Sequence, residues 1–379
     1  MRIALVTHYY PSHRGGIELV AAAIAERLAA EYGAEICWHA SDCDPPPSLP
    51  GVQCVPAASC NVIERRFGFP YPVWSPAALW QVGKAARSAN AVHLHDCLYL
   101  PNLAAYVAAR LAGRPVLVTQ HVGMIPFRNP VLRGMLYAAY RVLARVVLGG
   151  ATQVVFVSES VRRYFSEFVR FKSAPELVFN GVDTTVFHPV DAKRRRELRA
   201  ALGIGPDVPL LLFVGRFVEK KGLPVLRELA ARMPEARWLF AGWGTLDPEG
   251  WGLANVSVAR GLTGAQLAPL YQAADLLVLP SRGEGFPLVV QEAMACGTTA
   301  LIGTDTAAAC PDAAAVLPSE DATGADVAAR WERRIRQLIS EPEGAQEMRA
   351  EVAAYATVNW SWERCAARYA ELFARCSPT

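Results

Sequence analysis

The stretch Glu284-Gly-Phe-Pro-Leu-Val-Val-Gln-Glu292, running on through Ala-Met-Ala-Cys-Gly297, decides how the rest of the chain is read. Ahead of it lies Ala274-Asp-Leu-Leu-Val-Leu-Pro280, a short apolar run of the kind that forms a strand buried on both faces. A tight turn, Ser281-Arg-Gly-Glu-Gly285, follows. Pro287 then suits the first position of a helix and Gly297 its C′ stop. This places Glu284 on the turn and Glu292 about a turn and a half into the helix. The N–H groups of Leu288 and Val289, at the open start of that helix, make an anion site between the two carboxylates. A phosphorylated sugar fits such a seat. An ordinary βα unit with surface glutamates would carry the same nonapeptide, so the rest of the chain must decide.

A second strand-to-helix loop with suitable chemistry lies upstream. Val208-Pro-Leu-Leu-Leu-Phe-Val-Gly215 reads as a strand, and Gly215-Arg-Phe-Val-Glu-Lys-Lys-Gly222 as the loop before a helix. Arg216 and Lys221 supply a bidentate clamp and a point charge, as diphosphate binding requires. Trp238 to Gly244 and Val256 to Val258 are further strands.

The first half repeats the rhythm. Arg2-Ile-Ala-Leu-Val-Thr7 is a strand, His8 to Gly16 a loop ending in Gly15-Gly16, and Ile17 to Ala30 a helix stopped by Gly33. This is the geometry in which backbone amides approach a phosphate, although no G-x-G-x-x-G is present. Ala34 to Ala40 and Ala91 to His95 read as strands, Asp42 to Pro50 and Asn61 to Pro76 as loops, and Leu103 to Leu111 as a helix. Arg114 to Gln120 is a strand that leaves His121 at its carboxyl end, where ligands bind in open parallel sheets. A histidine at a strand end is nonetheless more often structural than catalytic. Phe127 to Leu148 is a long helical pattern with arginines at 128, 133, 141 and 145, suited either to a membrane surface or to packing with snorkelling side chains. Between the halves, Thr184 to Asp207 is a charged connector containing a helix, with Lys193-Arg-Arg-Arg196 read as a solvated face. Trp360 to Arg375 forms an amphipathic final helix. The alternation of strands and helices implies an α/β protein with two doubly wound, Rossmann-like sheets.

Length agrees, since 379 residues exceed one compact core and suit two domains. The expected divisions are 1–182, a linker at 183–206, 207–359, and a helix at about 360–376 packing back on the first domain. Nine cysteines show no CxxC pair and no metal-ligand spacing, so they read as free thiols, Cys296 as a packed small residue among them. No run of 18 uncharged apolar residues occurs, and the opening residues read as a strand rather than a signal peptide. The expected location is cytoplasmic, with room for peripheral contact on the inner face of the cell membrane. Net charge is +3, yet residues 60–172 carry 14 Lys and Arg against 4 Asp and Glu. Such a basic face suits an anionic partner, either a lipid headgroup, a membrane surface or a phosphorylated acceptor. Nothing points to nucleic acid.

Taken together, the motifs resemble the family 4 glycosyltransferases of GT-B type over almost the whole chain. The matching residues are Gly15-Gly16, Asn180-Gly-Val-Asp183 with Phe187, Gly215-Arg216 through Lys221-Gly222, and Glu284 with Glu292 and the trailing Ala-Met-Ala-Cys-Gly. The resemblance implies two domains facing across a cleft, the second holding a UDP- or GDP-linked sugar donor and the first the acceptor, a glycan or lipid-linked molecule. Arg216 and Lys221 would bind the donor diphosphate, Glu292 the ribose hydroxyls, and Glu284 the sugar ring. Gly285, Phe286, Leu288 and Val289 would line the donor site, Gly15 and Gly16 would approach the diphosphate, and His121 would contact and orient the sugar. It also implies a retaining hexosyl transfer with no metal and no cofactor beyond the donor substrate. Asp42-Cys-Asp44, the one Asp-x-Asp pair singled out, lies in a Pro-rich loop remote from these motifs.

Two glutamates also suggest the paired carboxylates of glycoside hydrolysis, but a hydrolase needs no diphosphate clamp. The same motifs would also suit a non-catalytic sugar-nucleotide binding protein, or a transferase acting on a small soluble acceptor. The chain departs from many relatives after Gly297, where Gly303-Thr-Asp-Thr-Ala-Ala-Ala-Cys310 replaces a Gly-Gly-x-x-Glu segment, and at Pro287, where a small residue is frequent.

Overall fold

The computed structural model describes residues 1–13, 15–67, 70–123, 130–282, 285–340 and 342–376. They form two compact units. Unit 1 comprises Met1–Asn180 and Trp362–Thr379, and unit 2 comprises Gly181–Ser361.

Unit 1 is built on the parallel strands β1 (Arg2–Val6), β2 (Glu35–Ser41), β3 (Val52–Ala57), β6 (Ala91–His95), β7 (Val116–Gln120), β8 (Gln153–Phe156) and β9 (Glu176–Leu177), in the order β3-β2-β1-β6-β7-β8-β9. A small antiparallel ribbon pairs β4 (Ser59–Cys60) with β5 (Val73–Trp74). The helices are α1 (Gly16–Tyr32), α2 (Val62–Phe67), α3 (Pro76–Ser88), α4 (Leu100–Leu111), α5 (Pro130–Gly150) and α6 (Glu159–Ser166). Strand residues alternate between two cores. Ala4 and Val6 face the layer that includes Val82, Ala105 and Ala144, whereas Ile3 and Leu5 face α1 and the final helix.

Unit 2 has the strands β10 (Leu210–Phe217), β11 (Arg237–Gly244), β12 (Val256–Ala259), β13 (Leu276–Leu279), β14 (Ala300–Gly303) and β15 (Ser319–Glu320), all parallel, in the order β12-β11-β10-β13-β14-β15. Its helices are α7 (Ala192–Ala201), α8 (Leu223–Arg232), α9 (Ala268–Ala273), α10 (Leu288–Ala295), α11 (Thr304–Ala307), α12 (Val327–Ile339) and α13 (Pro342–Trp360). The run Leu210 to Val214 is buried throughout because helices cover both faces of the sheet. In each unit the strand order reverses beside the first strand. The crevice at a carboxyl edge of that kind is where open α/β sheets bind ligands.

Helix α14 (Trp362–Cys376) belongs to unit 1. Trp362, Cys365, Tyr369, Leu372 and Phe373 form its buried stripe, and the Tyr369 hydroxyl lies 2.9 Å from Thr119 Oγ1 in the sheet. Among the described residues no helix is long and apolar enough to cross a membrane.

Several local expectations change. Residues 61–76, expected as loop, contain α2 and β5. The Lys193–Arg196 run is not wholly solvated, because Arg195 pairs with Asp275 in unit 2. Arg199, one turn on, is buried, bonding Asp275 Oδ2 at 3.0 Å and the carbonyls of Ala273, Gly205 and Val208. Residues 183–206 are thus an integral part of unit 2. On α5, Arg141 and Arg145 lie over the Phe168 ring at 4.3 and 5.6 Å, so these two arginines pack on their own unit. Arg128 lies outside the described residues, as does the Phe127 end of the expected helix.

Candidate functional site

In unit 2 two loops leave the adjacent strands β10 and β13 at the switch point. β10 continues to Phe217, so Arg216 stands on the last strand turn, exposed, rather than in the loop. Lys221 closes a short 3-10 turn, and Gly222 then takes φ 79°, a left-handed conformation that favours glycine. Glycine is doubly required there, since a Cβ would come within 2.5 Å of the Pro280 carbonyl oxygen. That close approach, with Arg282 N donating to Lys220 O at 3.0 Å, fastens the Lys221 loop to the residues just past β13.

Helix α10 starts at Leu288, with Pro287 as its N-cap rather than its first helical residue. No side chain caps it, and Val290 N turns back to Pro287 O. The N–H groups of Leu288 and Val289 lie in the first turn, where a helix supplies no acceptor of its own. Gly297, at φ 76°, ends the helix as expected from its sequence. Glu292 accepts a hydrogen bond from the buried Tyr271 hydroxyl at 2.7 Å, and burial pushes its carboxyl up to about 7 despite that donor. Gly285 is partly exposed, whereas the Phe286 ring is buried against Trp360 at 5.0 Å, leaving its backbone as the part that can reach a ligand. Glu284 lies outside the described residues. Cys296 is buried, and burial pushes its thiol up, which suits a packed residue and not a nucleophile.

The corresponding edge of unit 1 gathers more polar side chains than sequence reasoning anticipated. Gly15 is the N-cap of α1 and Gly16 its first residue. A Cβ on Gly16 would meet nothing within 4 Å, while one on Gly15 would strike the Glu18 carboxylate. Glu18 is buried and pairs with His8 Nε2 at 2.9 Å. Burial raises its pKa, but the pairing with His8 outweighs this and the net shift is downward. His8 in turn stacks on Tyr99 at 4.1 Å. The nearby His13 is bracketed by Asp44 at 2.7 Å and Glu64 at 3.1 Å, and Asp42 accepts from Ser59, so both acids of the Asp42-Cys-Asp44 pair hold loops in place. Among the described residues, no group of three or more His, Cys, Asp or Glu side chains is placed to hold a metal.

His121 is buried at the end of β7, its Nε2 2.8 Å from Nδ1 of His95. Burial pushes His121 down to about 3 and His95 well below the usual range, so both rings are neutral. Asp96, held at φ 64°, accepts from the backbone N–H of His121 at 2.8 Å and of Val122 at 3.3 Å, and from Gln120 Nε2 at 2.7 Å. Burial pushes its carboxyl up to about 6, partly offset by the His121 amide. Of the residues missed from sequence, Glu18 had one usable signal, an acid in the first turn after a glycine pair. Tyr271, His8 and His95 had none, because their partners are distant in the chain.

A family profile described as Glycosyltransferase Family 4 matches residues 14–186, and one described as Glycosyl transferases group 1 matches residues 208–340. The D-inositol 3-phosphate glycosyltransferase of Mycobacterium avium is 33% identical over 204 residues, covering 50% of this chain and 46% of the relative. That of Segniliparus rotundus is 34% identical over 209 residues, covering 50% and 44%. The chain spans less than half the length of these curated relatives. Among solved structures, the sucrose-phosphate synthase of Thermosynechococcus elongatus superposes with a TM-score of 0.79 at 19% identity, covering 99% of this chain and 98% of that one. Anabaena HepE in complex with UDP-glucose gives 0.75 at 15% identity, covering 99% and 100%. These two likenesses speak for the fold alone. With residues 14–186 matched by the family 4 profile, residues 208–340 by the group 1 profile and both units Rossmann-like, the chain carries the two domains of a glycosyltransferase of GT-B type.

Proposed function

We propose that the protein is a retaining, metal-independent hexosyltransferase that moves a sugar from a UDP- or GDP-linked donor to an anionic, lipid-linked or cell-surface glycan acceptor. The observation that carries this reading is the fastening of the Arg216–Lys221 loop to Pro280 and Arg282, which lie just past β13 on the way to the uncapped start of α10, at the unit 2 switch point. Two cations beside a helix N-terminus stabilise the charge that develops on a departing nucleotide diphosphate. Glu292 accepts from the ribose hydroxyls, Glu284 and His121 contact the sugar, and the open Gly16 amide approaches the diphosphate. In the transfer, the bond from the anomeric carbon to the phosphate oxygen breaks and its electron pair stays on the phosphate. The acceptor hydroxyl oxygen bonds to the same face of that carbon, and its proton passes to the leaving phosphate.

The acceptor class is supported by the surface of unit 1. Helices α3 and α4 carry no acidic residue and expose Trp80 (66%), Val107 and Leu111 (76%) beside Lys84, Arg87 and Arg110, with Lys84 5.7 Å from the Trp80 ring centroid. Aromatic and basic side chains on one face suit an anionic lipid surface. A soluble phosphorylated acceptor is the second reading, favoured by the inositol 3-phosphate in the relatives' name. The test is transfer from a panel of nucleotide sugars to polyprenyl-phosphate-linked glycan in anionic vesicles and to inositol phosphate in solution, with the product's anomeric configuration read by NMR. Transfer with retention in the presence of EDTA is expected. Inversion, or tight donor binding with no transfer to either acceptor, would overturn the proposal.

A further inference from the structure

Two histidines at the carboxyl edge of the unit 1 sheet share one proton between them. His95 Nδ1 and His121 Nε2 are 2.8 Å apart, with the rings stacked at 5.0 Å and 19°, and both side chains are buried. Two neutral rings can meet in this way in only two arrangements. If His121 donates from Nε2, His95 must carry its own proton on Nε2. That nitrogen is buried with no partner among the described residues, so the arrangement strands an N–H in the core. If His95 donates from Nδ1, its Nε2 is a bare lone pair. Buried donors without acceptors are the rarer defect in folded proteins, because an unmatched N–H keeps its full desolvation penalty.

The described residues around it do not supply the missing acceptor. His93, whose ring lies 4.4 Å from that of His95, has its Nε2 engaged at 2.8 Å by Thr119 Oγ1, which also meets the Tyr369 hydroxyl. No hydrogen bond among the described residues joins His95 Nε2 to either nearby acid: Asp96 Oδ1 accepts from Gln120 and from the His121 and Val122 amides, and Glu18 Oε1 meets His8 Nε2.

We infer that His95 is a positioning residue that donates from Nδ1 to His121 Nε2, fixing His121 as the tautomer protonated on Nδ1. His121 then offers a hydrogen-bond donor at Nδ1 and no basic lone pair, because its Nε2 is occupied. In the proposed reaction it would recognise an oxygen of the donor sugar and take no part in removing the acceptor's proton. This consequence rests on the reading of His121 as a sugar contact. The tautomer itself does not.

The test uses the full chain labelled with 15N-histidine and long-range 1H–15N correlation spectra, in which the two nitrogens of each ring report which one carries the proton. The His121 signals are assigned by their loss in His121→Gln. The expected result is Nδ1 protonated and Nε2 unprotonated in the wild type. In His95→Phe, which keeps a ring but has no donor, His121 should revert toward the Nε2-protonated form, with kcat falling about tenfold and the donor KM staying within about twofold. His95→Gln, which restores a donor, should recover part of the rate. A wild-type His121 protonated on Nε2 overturns the inference, even if His95→Phe does not fold. A tautomer that flips in His95→Phe with no change in kcat overturns the functional role assigned to it. A wild type that fixes the tautomer but transfers no sugar refutes the proposed function and leaves the positioning intact.

Discussion

Tyr271→Phe removes a single oxygen, the one that donates to Glu292 at 2.7 Å. The Glu292 carboxyl already sits at about 7, raised by burial, with Tyr271 pulling the other way. A hydrogen bond to a charged group contributes about 1.5–3 kcal/mol, and 1.36 kcal/mol corresponds to one pKa unit, so its loss should move the carboxyl up by roughly one to two units. The sign for stability follows from linkage. A carboxyl whose folded pKa lies above the unfolded value favours the fold when protonated, so stability is greatest at low pH and falls as pH rises toward about 7. In the variant that decline should continue to higher pH. Ligand binding runs the other way, because ribose hydroxyls donate to the ionised form. Nucleotide affinity should therefore rise with pH through about 7 in the wild type and about one to two units higher in Tyr271→Phe. Calorimetric titration of UDP and GDP from about pH 5.5 to about pH 9 reads both curves. Superimposable profiles would refute the link between Tyr271, Glu292 and the ribose.

Further predictions concern the glycine pair and the unit 2 framework. Gly16→Ala should leave the melting temperature unchanged, since its Cβ meets nothing, yet lower donor turnover by crowding the approach to α1. Gly15→Ala should destabilise unit 1 by about 1–3 kcal/mol through the clash with Glu18, a difference that urea unfolding of the two variants would expose. Arg199→Ala strips a buried guanidinium from Asp275 and from four carbonyls, and should cost about 3–5 kcal/mol of stability, while Arg194→Ala on the exposed face should cost under about 0.5 kcal/mol.

The features legible in the sequence were those written in local pattern. β10 and β13 announce themselves as apolar runs closed by glycine- or proline-bearing loops, and these loops carry Arg216, Lys221 and the start of α10. β3 was invisible because it is an edge strand of mixed exposure containing Pro56, which lacks the N–H a central strand needs. α3 is capped by Ser75, but its Ser-Pro start is equally at home in a loop and so does not mark a helix. Arg195 resembled its solvated neighbours, since only the fold brings Asp275 beneath it. The same limit hid the His8–Glu18 and His95–His121 contacts. The latter joins residues 26 positions apart at the ends of neighbouring parallel strands, which are brought together only by the crossover connection between them.

The central claim is that the Arg216–Lys221 loop and the first turn of α10 grip a nucleotide diphosphate. Titration of UDP and of GDP into the protein in EDTA, by calorimetry and phosphorus NMR, tests it with no acceptor needed. Binding of one of them with a shifted β-phosphate resonance is predicted, together with at least a tenfold loss of affinity in Lys221→Ala at unchanged melting temperature. Equal affinity of the wild type and Lys221→Ala for the bound nucleotide would contradict it.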